Sequence, residues 1–79
     1  MSSIQDRITR TLVEEFRIPP GAITQETSFT DLGFDSLVIV ELALVLDQRF
    51  GVALKDGELA ETMTLAAAAD LLAAKGAVP

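Results

Sequence analysis

Apolar side chains recur every third or fourth residue in three parts of this 79-residue chain, which is the spacing of a helix that buries one face. We therefore predict three main helices, over about residues 3–17, 36–50 and 64–75. A short helix is expected over about residues 56–61, with Leu59 facing inward. The inward face of the last main helix is expected to comprise Leu65, Ala68, Ala69 and Leu72. The chain shows neither repeats nor strand patterns, so the predicted fold class is all-α: a small four-helix bundle in which residues 1–79 form one domain.

Residues that favour helix ends stand near the limits of these helices. Ser3 suits the N-cap of the first helix, and either Asp35 or Ser36 suits that of the second. The run Pro19-Pro20-Gly21 ends the first helix, because proline lacks an N–H group and disfavours helical geometry in the residue before it. Gly51 is placed to end the second helix.

The loop over residues 19–35 is long for so small a domain and needs anchors in the core. We predict three apolar anchors, which are Ile23, Phe29 and Leu32. Phe34 is a further apolar residue of the loop, to which the pattern assigns no packing role. Gly33 suits a position with positive φ, which other residues rarely adopt.

The second helix carries more apolar side chains than one buried face requires. At about 100° per residue, its core face comprises Ile39, Leu42, Ala43, Leu46 and Phe50. The opposite side, beside Ser36, comprises Leu37, Val40, Glu41, Leu44, Asp47 and Gln48. A helix that is apolar nearly all round is either fully buried or carries a binding surface, and full burial is difficult in a domain of 79 residues. We therefore predict a binding surface; an enlarged core or a dimer contact is the alternative.

Cysteine and histidine are both absent. Their absence excludes a disulfide, a thiolate nucleophile and a Ser-His-Asp triad, and it removes the commonest metal ligand. We therefore expect no enzyme activity and no metal site, with any chemistry supplied by partners or by a group attached later. The longest apolar runs have five residues, against about 20 for a membrane span, and the N-terminal residues do not form a signal peptide. The expected location is the cytoplasm.

Acidic side chains are concentrated in the middle of the chain. Residues 26–61 contain eight acids and two bases, Arg49 and Lys55, so this segment carries the whole formal net charge of −6. A charge of this sign argues against nucleic acid as a partner and favours a basic protein surface. The alternative is a charge that serves solubility alone.

The stretch Asp31-Leu32-Gly33-Phe34-Asp35-Ser36-Leu37 places a serine at a helix start, after an aspartate and a turn that contains glycine. The first N–H groups of a helix are free and its dipole is positive there, so a phosphate ester on Ser36 would be stabilised. Ser36 is poorly equipped for catalysis, because the G-x-S-x-G elbow and the histidine of a hydrolase are missing. The position is also compatible with a serine that only caps the helix.

Together with its length, acidity and order of helices, the stretch around Ser36 makes the whole chain resemble the acyl carrier protein family. The matching residues are Ser3-Ile4 through Phe16, Phe29, Gly33, the D-S-L signature Asp35-Ser36-Leu37, Glu41-Leu42, Phe50-Gly51-Val52 and Thr64-Leu65. The resemblance implies that a phosphopantetheinyl transferase, using coenzyme A and Mg²⁺, joins a 4'-phosphopantetheine arm to the Ser36 oxygen. Acyl groups would then be carried on the thiol of the arm as thioesters.

The resemblance also implies partner enzymes that dock on the second helix and take the arm into their active sites. These partners would be an acyltransferase, a ketosynthase or an acyl-activating ligase with a basic docking surface. The docking residues would be Leu37, Val40, Glu41, Leu44 and Asp47. The carrier is expected to be a monomer that binds neither nucleic acid nor membranes. Because the chain begins with Met1 and has almost no spare residues at its ends, we expect it to be free-standing.

Some residues depart from the pattern of bacterial fatty acid carriers. Those carriers usually have an acidic cluster after the docking helix, where this chain has Asp47-Gln48-Arg49, and commonly have Asp-Thr after the signature, where this chain has Val38-Ile39. The form G-F-D-S-L is closer to polyketide synthase carriers, whereas peptidyl carriers more often have G-G-x-S-L. We therefore predict a discrete carrier in polyketide or mixed polyketide–amino acid biosynthesis. The alternatives are a fatty acid carrier, an aminoacyl or peptidyl carrier, a non-modified helical adaptor, and a hydrolase that uses Ser36 but lacks a base.

Overall fold

The computed structural model describes residues 3–55 and 57–78 and contains three α-helices joined by loops. The helices are α1 (Ile4–Phe16), α2 (Ser36–Phe50) and α3 (Leu65–Ala74). A 3-10 turn covers Pro20–Ala22, and the β pairing of the described residues is limited to an isolated antiparallel bridge between Ser28 and Thr64. The predicted all-α class is confirmed, and each main helix begins and ends within one residue of its predicted limits.

Side chains at the helix ends satisfy backbone groups that a helix leaves without partners. At α1, Ser3 Oγ accepts the Asp6 N–H and the Asp6 carboxylate accepts the Ser3 N–H, which together form a capping box. α1 ends at Arg17, whose φ of 56° is left-handed, and α2 ends at Gly51 in the same conformational region. The predicted cap of α1 and the predicted end of α2 are confirmed.

α1 contacts α2 or the residues just before it near both of its own ends. Near the start of α1, Arg7 Nη2 donates to the carbonyl oxygen of Arg49, close to the end of α2, at 2.8 Å. At the other end, the ring centres of Phe16 and Phe34 lie 5.4 Å apart, just before α2 begins. α1 also packs against α3. Ser36 and the end of α2 therefore lie at opposite ends of the bundle.

The core is formed by the inward faces of all three helices. Its buried helical residues are Ile8 and Leu12 in α1, Ile39, Leu42, Leu46 and Phe50 in α2, and Leu65, Ala68, Ala69 and Leu72 in α3. The α2 set is the predicted core face, except that Ala43 is only half-buried, and the α3 set agrees at all its positions. Removal of these side chains from water is the main stabilising contribution to a domain of this size.

The loop between α1 and α2 is fixed by buried aromatic rings. Phe29 is fully buried, as predicted, whereas Ile23 and Leu32 are half-buried and pack against the edge of the core. Phe34 is also buried, and its ring centre lies 5.9 Å from that of Phe29. The loop is thus anchored more strongly at Phe34, which the sequence pattern left without a packing role, than at Ile23 or Leu32.

Backbone hydrogen bonds join the same loop to the chain around the start of α3. The N–H groups of Phe29 and Thr30 donate to the carbonyl oxygens of Met63 and Glu61 at 3.2 and 2.8 Å. In the opposite direction, Leu65 N donates to Thr27 O at 3.0 Å, and Ala66 N donates to Gln25 O at 2.9 Å. These bonds satisfy polar groups that a loop packed on a core would otherwise bury without partners.

The short helix predicted over residues 56–61 is wrong for the part that the structure describes, since residues 57–61 form turns; Asp56 lies outside the described residues. Gly57 has a φ of 86°, which is not helical. Glu58 N donates to Lys55 O at 3.1 Å in a tight turn, and the Glu61 carbonyl is bonded to Thr30 rather than within a helix. Leu59 is buried, as predicted.

Candidate functional site

Ser36 is the first residue of α2 and is exposed. The preceding residue, Asp35, has extended backbone geometry, and its Oδ1 accepts the Val38 N–H at 2.9 Å. Asp35 is therefore the N-cap, which resolves the choice that the sequence left between Asp35 and Ser36. Because Asp35 performs the capping, the Ser36 hydroxyl is left for another role.

Two donors at the start of α2 have no partner among residues 3–55 and 57–78. They are the N–H groups of Ser36 and Leu37, which precede the N–H group that Asp35 caps. Free N–H groups and the positive end of the helix dipole favour an anion at this position. The residues present therefore fit a phosphate ester on Ser36 Oγ, as the sequence suggested.

The turn before Asp35 holds the start of α2 in place. Gly33 has a φ of 82°, which confirms the expected positive value, and its N–H donates to Thr30 O at 2.9 Å. The Phe34 N–H donates to Phe29 O at 3.0 Å, and the Phe34 ring is buried. A buried ring two positions before Ser36 fixes the backbone from which α2 starts. The sequence pattern identified Phe34 as an apolar residue of the loop but not as an anchor, because a single apolar residue beside glycine has no helical period.

We define the outer face of α2 as Leu37, Val40, Glu41 and Leu44, all of which are exposed. The three apolar members have 74%, 55% and 60% of their surface accessible, in chain order, which is high for side chains of this kind. Their spacing puts them on one side of the helix, on the same side as Ser36. The exposed apolar patch expected from the sequence is therefore present, and an enlarged core is excluded as its explanation.

Asp47 differs from the rest of the predicted docking set. It is half-buried, and its Oδ2 accepts the Leu54 N–H at 3.2 Å. This bond connects the last turn of α2 to the segment that follows it. The sequence could not show this role, because it depends on how residues 52–55 fold back.

A groove runs along α2 from Ser36, and we call it the α2 groove. Its first part has a volume of about 310 Å³ and lies between α2 and residues 57–62; it is lined by Ser36, Ile39, Val40, Gly57, Leu59, Ala60, Glu61 and Thr62. Its second part, of about 350 Å³, shares four of these residues and extends to Ala43, Leu44, Asp47, Leu54 and Lys55. The groove was not anticipated from the sequence, because its far side is a segment without regular structure.

The carboxylates of residues 26–61 that the structure describes fall into two groups. Asp31, Asp35, Asp47 and Glu58 each accept a backbone N–H, so they hold turns and helix ends. In the described part of the chain, the side chains of Glu26, Glu41 and Glu61 have neither hydrogen bonds nor ion pairs. Glu41 is the member of this second group that lies on the outer face of α2.

The Arg49 side chain pairs with acidic residues of α1 and does not belong to the outer face of α2. Its guanidinium forms ion pairs with Glu14 at 3.2 Å and Glu15 at 3.0 Å, which join α2 to α1. Hydrogen bonding to Glu15 is the main cause of a raised pKa for Arg49. The sequence suggested that Arg49 modifies the docking surface, but the geometry gives it a structural role as well.

The described residues contain neither a metal-binding cluster nor a helix that could cross a membrane. Within residues 3–55 and 57–78, no three acidic, histidine or cysteine side chains are grouped so that they could hold a metal ion. None of the helices formed by these residues combines the length and the apolar character needed to cross a membrane.

Comparison with known protein families gives one match that covers most of the chain. The family described as "Phosphopantetheine attachment site" matches residues 6–72. This span contains Ser36, all of α2 and both sides of the α2 groove.

Proposed function

Because the chain belongs to the phosphopantetheine attachment-site family, we propose that it is an acyl carrier protein whose Ser36 bears the arm. The cofactor of this family is covalently attached 4'-phosphopantetheine. We choose Ser36 because of its position. It is exposed, it is the first residue of α2, and it lies beside two N–H groups that have no partner in the described residues. Ser28, the nearest other serine, is half-buried, and its Oγ accepts the Asp31 N–H at 3.1 Å.

The attachment reaction would be catalysed by a phosphopantetheinyl transferase. The bond between Ser36 Oγ and phosphorus forms, the pyrophosphate bond of coenzyme A breaks, adenosine 3',5'-bisphosphate leaves, and the transferase removes the serine proton. When bound, the arm supplies a thiol that holds acyl groups as thioesters, in a chain that has no cysteine. The free N–H groups of Ser36 and Leu37 would stabilise the phosphate, and Asp35 and Phe34 would hold the helix start.

The outer face of α2 is the proposed docking surface for the transferase and for later partners. Leu37, Val40 and Leu44 would supply apolar contact area, and Glu41 would attract basic side chains around the partner's active site. Asp47 would contribute through its other carboxylate oxygen, since Oδ2 is bonded to Leu54. The proposed partners are an acyltransferase, a ketosynthase or an acyl-activating ligase. Domains of this family are in general not catalytic, and we propose the same for this chain.

For the pathway, we propose a carrier of polyketide or mixed polyketide–amino acid biosynthesis in the cytoplasm. Its support is the G-F-D-S-L form around Ser36 and the weak acidic character at the end of α2, where Gln48 is exposed. A carrier of fatty acid synthesis or of aminoacyl groups is the alternative within the family. The adaptor hypothesis has less support than these, because the family match includes the serine and not only the helices.

The test is to incubate the purified protein with coenzyme A, Mg²⁺ and a phosphopantetheinyl transferase, and to measure its intact mass. We expect one phosphopantetheine per chain, mapped to Ser36 by peptide analysis. Ser36→Ala should fold with an unchanged melting temperature and remain unmodified, whereas the matched control Ser28→Ala should be modified. An arm on the Ser36→Ala protein, or none on the wild type, would contradict the proposal.

The pathway is tested with the modified protein as a substrate. Loading by an acyltransferase of a polyketide synthase is compared with loading by an acyltransferase of fatty acid synthesis. We expect the higher kcat/KM with the polyketide enzyme. A preference for the fatty acid enzyme would contradict the pathway and leave the carrier function intact.

A further inference from the structure

One side of the α2 groove consists of residues 57–62, which we call the wall segment. The wall segment forms turns and lies opposite Ser36, Ile39 and Val40 of α2. A segment without a backbone ladder of its own is held by individual contacts with its surroundings. The contacts of the wall segment therefore determine how wide the groove is beside Ser36.

Three contacts hold the wall segment: one lies just before it, one near its middle and one near its end. Before it, Leu54 N is bonded to Asp47. Near its end, the Glu61 carbonyl accepts both the N–H and the hydroxyl of Thr30, at 2.8 and 2.9 Å. Between them, the Leu59 side chain is buried in the core. None of these contacts fixes the first turn of the segment, around Glu58.

That turn is fixed by Glu58 and Lys75. Lys75 Nζ lies 2.6 Å from Glu58 Oε1, and the same oxygen accepts the Lys55 N–H at 2.7 Å. Both side chains are only 21–28% exposed, so the pair is less screened by solvent than a typical surface ion pair. Lys75 is the C-cap of α3, where a cation is favoured by the helix dipole. Hydrogen bonding to Lys75 is also the main cause of a lowered pKa for Glu58.

We propose that Glu58 and Lys75 are positioning residues that hold the first turn of the wall segment against α2 and so set the width of the α2 groove, which Gly57 lines in both of its parts. α3 acts as the fixed support, because Lys75 follows a helix whose inner face is buried. The consequence for cargo rests on the proposed function: an acyl group on an arm at Ser36 starts at the mouth of this groove, and the wall segment would cover it. Glu58 and Lys75 would then govern how well the thioester is protected.

The first experiment uses the unmodified protein and does not depend on the proposed function. Amide hydrogen exchange is measured at Glu58 and Ala60, whose N–H groups are bonded to Lys55 O and to Met63 Sδ. In Lys75→Met, we expect exchange at these two amides to be faster by about two- to fivefold, the range of a partly exposed ion pair. Exchange at Ala66, which is bonded to the long loop, should not change.

Two further variants serve as controls. Arg49→Met removes the ion pairs with Glu14 and Glu15 of α1, which do not involve the wall segment, and should leave the Glu58 and Ala60 amides as they are in the wild type. Lys75→Arg keeps the charge and should restore slow exchange. The proposal is overturned if Lys75→Met leaves the two amides unchanged, or if Arg49→Met accelerates them equally, since the effect would then be a general loss of stability.

The second experiment loads the protein with octanoyl-phosphopantetheine, using octanoyl-coenzyme A and a transferase, and follows thioester cleavage by hydroxylamine. Cleavage should be faster in Lys75→Met than in the wild type or in Arg49→Met. Equal rates in all three would overturn the inference that the wall segment covers the cargo. Failure of the wild type to accept the arm would instead count against the proposed function, and the exchange data would still decide the positioning role.

Discussion

In both α2 and α3, a side-chain oxygen of the N-cap residue accepts the third N–H group of the helix. The two helices differ in the hydrogen-bond partners of their first two N–H groups. At α3, Thr64 Oγ1 accepts the Ala67 N–H at 3.1 Å, and the N–H groups of Leu65 and Ala66 are bonded to carbonyls of the long loop. At α2, the cap is equally good, yet the N–H groups of Ser36 and Leu37 have no partner among the described residues.

The contrast shows that the capping residue does not decide whether a helix start is available for binding. The start of α3 is closed because residues 25–30 of the loop lie across it, and Leu65 is buried there. The start of α2 is open because Phe34 turns into the core, while Leu37 points to solvent. A helix start with free donors and an exposed serine can bind a phosphate ester, whereas one covered by a loop serves only the fold.

The largest expected difference between the two starts is in stability, tested by the same substitution in each. Leu65 is 3% exposed and Leu37 is 74% exposed. Leu65→Ala should lower the free energy of unfolding by about 2–5 kcal/mol, because it leaves a cavity in the core. Leu37→Ala should change it by less than about 0.5 kcal/mol. Urea denaturation of both variants measures this, and equal losses would mean that Leu37 is buried in solution.

A smaller effect is expected at the caps themselves. Thr64→Ala and Asp35→Ala should each cost about 1 kcal/mol of unfolding free energy, since each leaves one helix N–H without its side-chain acceptor. Asp35→Asn should retain the stability of the wild type, because asparagine caps as well as aspartate. We also expect the transferase to modify Asp35→Asn at the wild-type rate. A stable but slowly modified Asp35→Asn protein would show instead that the transferase recognises the charge.

The smallest effect concerns charge on the same two helices. Glu41 on α2 and Asp70 on α3 are both exposed. Glu41→Gln should slow acyl loading by a basic partner about two- to fivefold at low salt, the range of an exposed ion pair. The difference should shrink as salt rises, because screening shortens the reach of exposed charges. Asp70→Asn is the matched control and should load like the wild type; equal slowing in both variants would assign the effect to net charge rather than to docking on α2.

Local patterns in the sequence predicted the helices well, because a helix is defined by neighbours along the chain. The caps at Ser3 and Gly51, the positive φ of Gly33 and the inward set of α3 all follow from such patterns. The exposed outer face of α2 was also predicted, since its surplus of apolar residues could not fit a one-sided core. Its binding role stays a prediction.

The errors lie where distant segments meet. Residues 58–61 are all residue types that favour helices. They form no helix, because Gly57 adopts a positive φ and the Glu61 carbonyl is bonded to Thr30. Likewise, the ion pairs of Arg49 join residues about 35 positions apart, and the bond from Leu54 N to Asp47 depends on how the chain turns back after α2. Such contacts leave no periodic signal in the sequence.

The bonds from Leu65 and Ala66 to the long loop also bear on the order of folding. Gln25 and Ala66 are about forty residues apart, and contacts of such separation form late because a large part of the chain must first be ordered. Residues 25–30 of the loop lack their bonding partners until residues 61–66 have been synthesised and placed. During translation, therefore, the long loop should be fixed on the core only after residues 61–66 have left the ribosome.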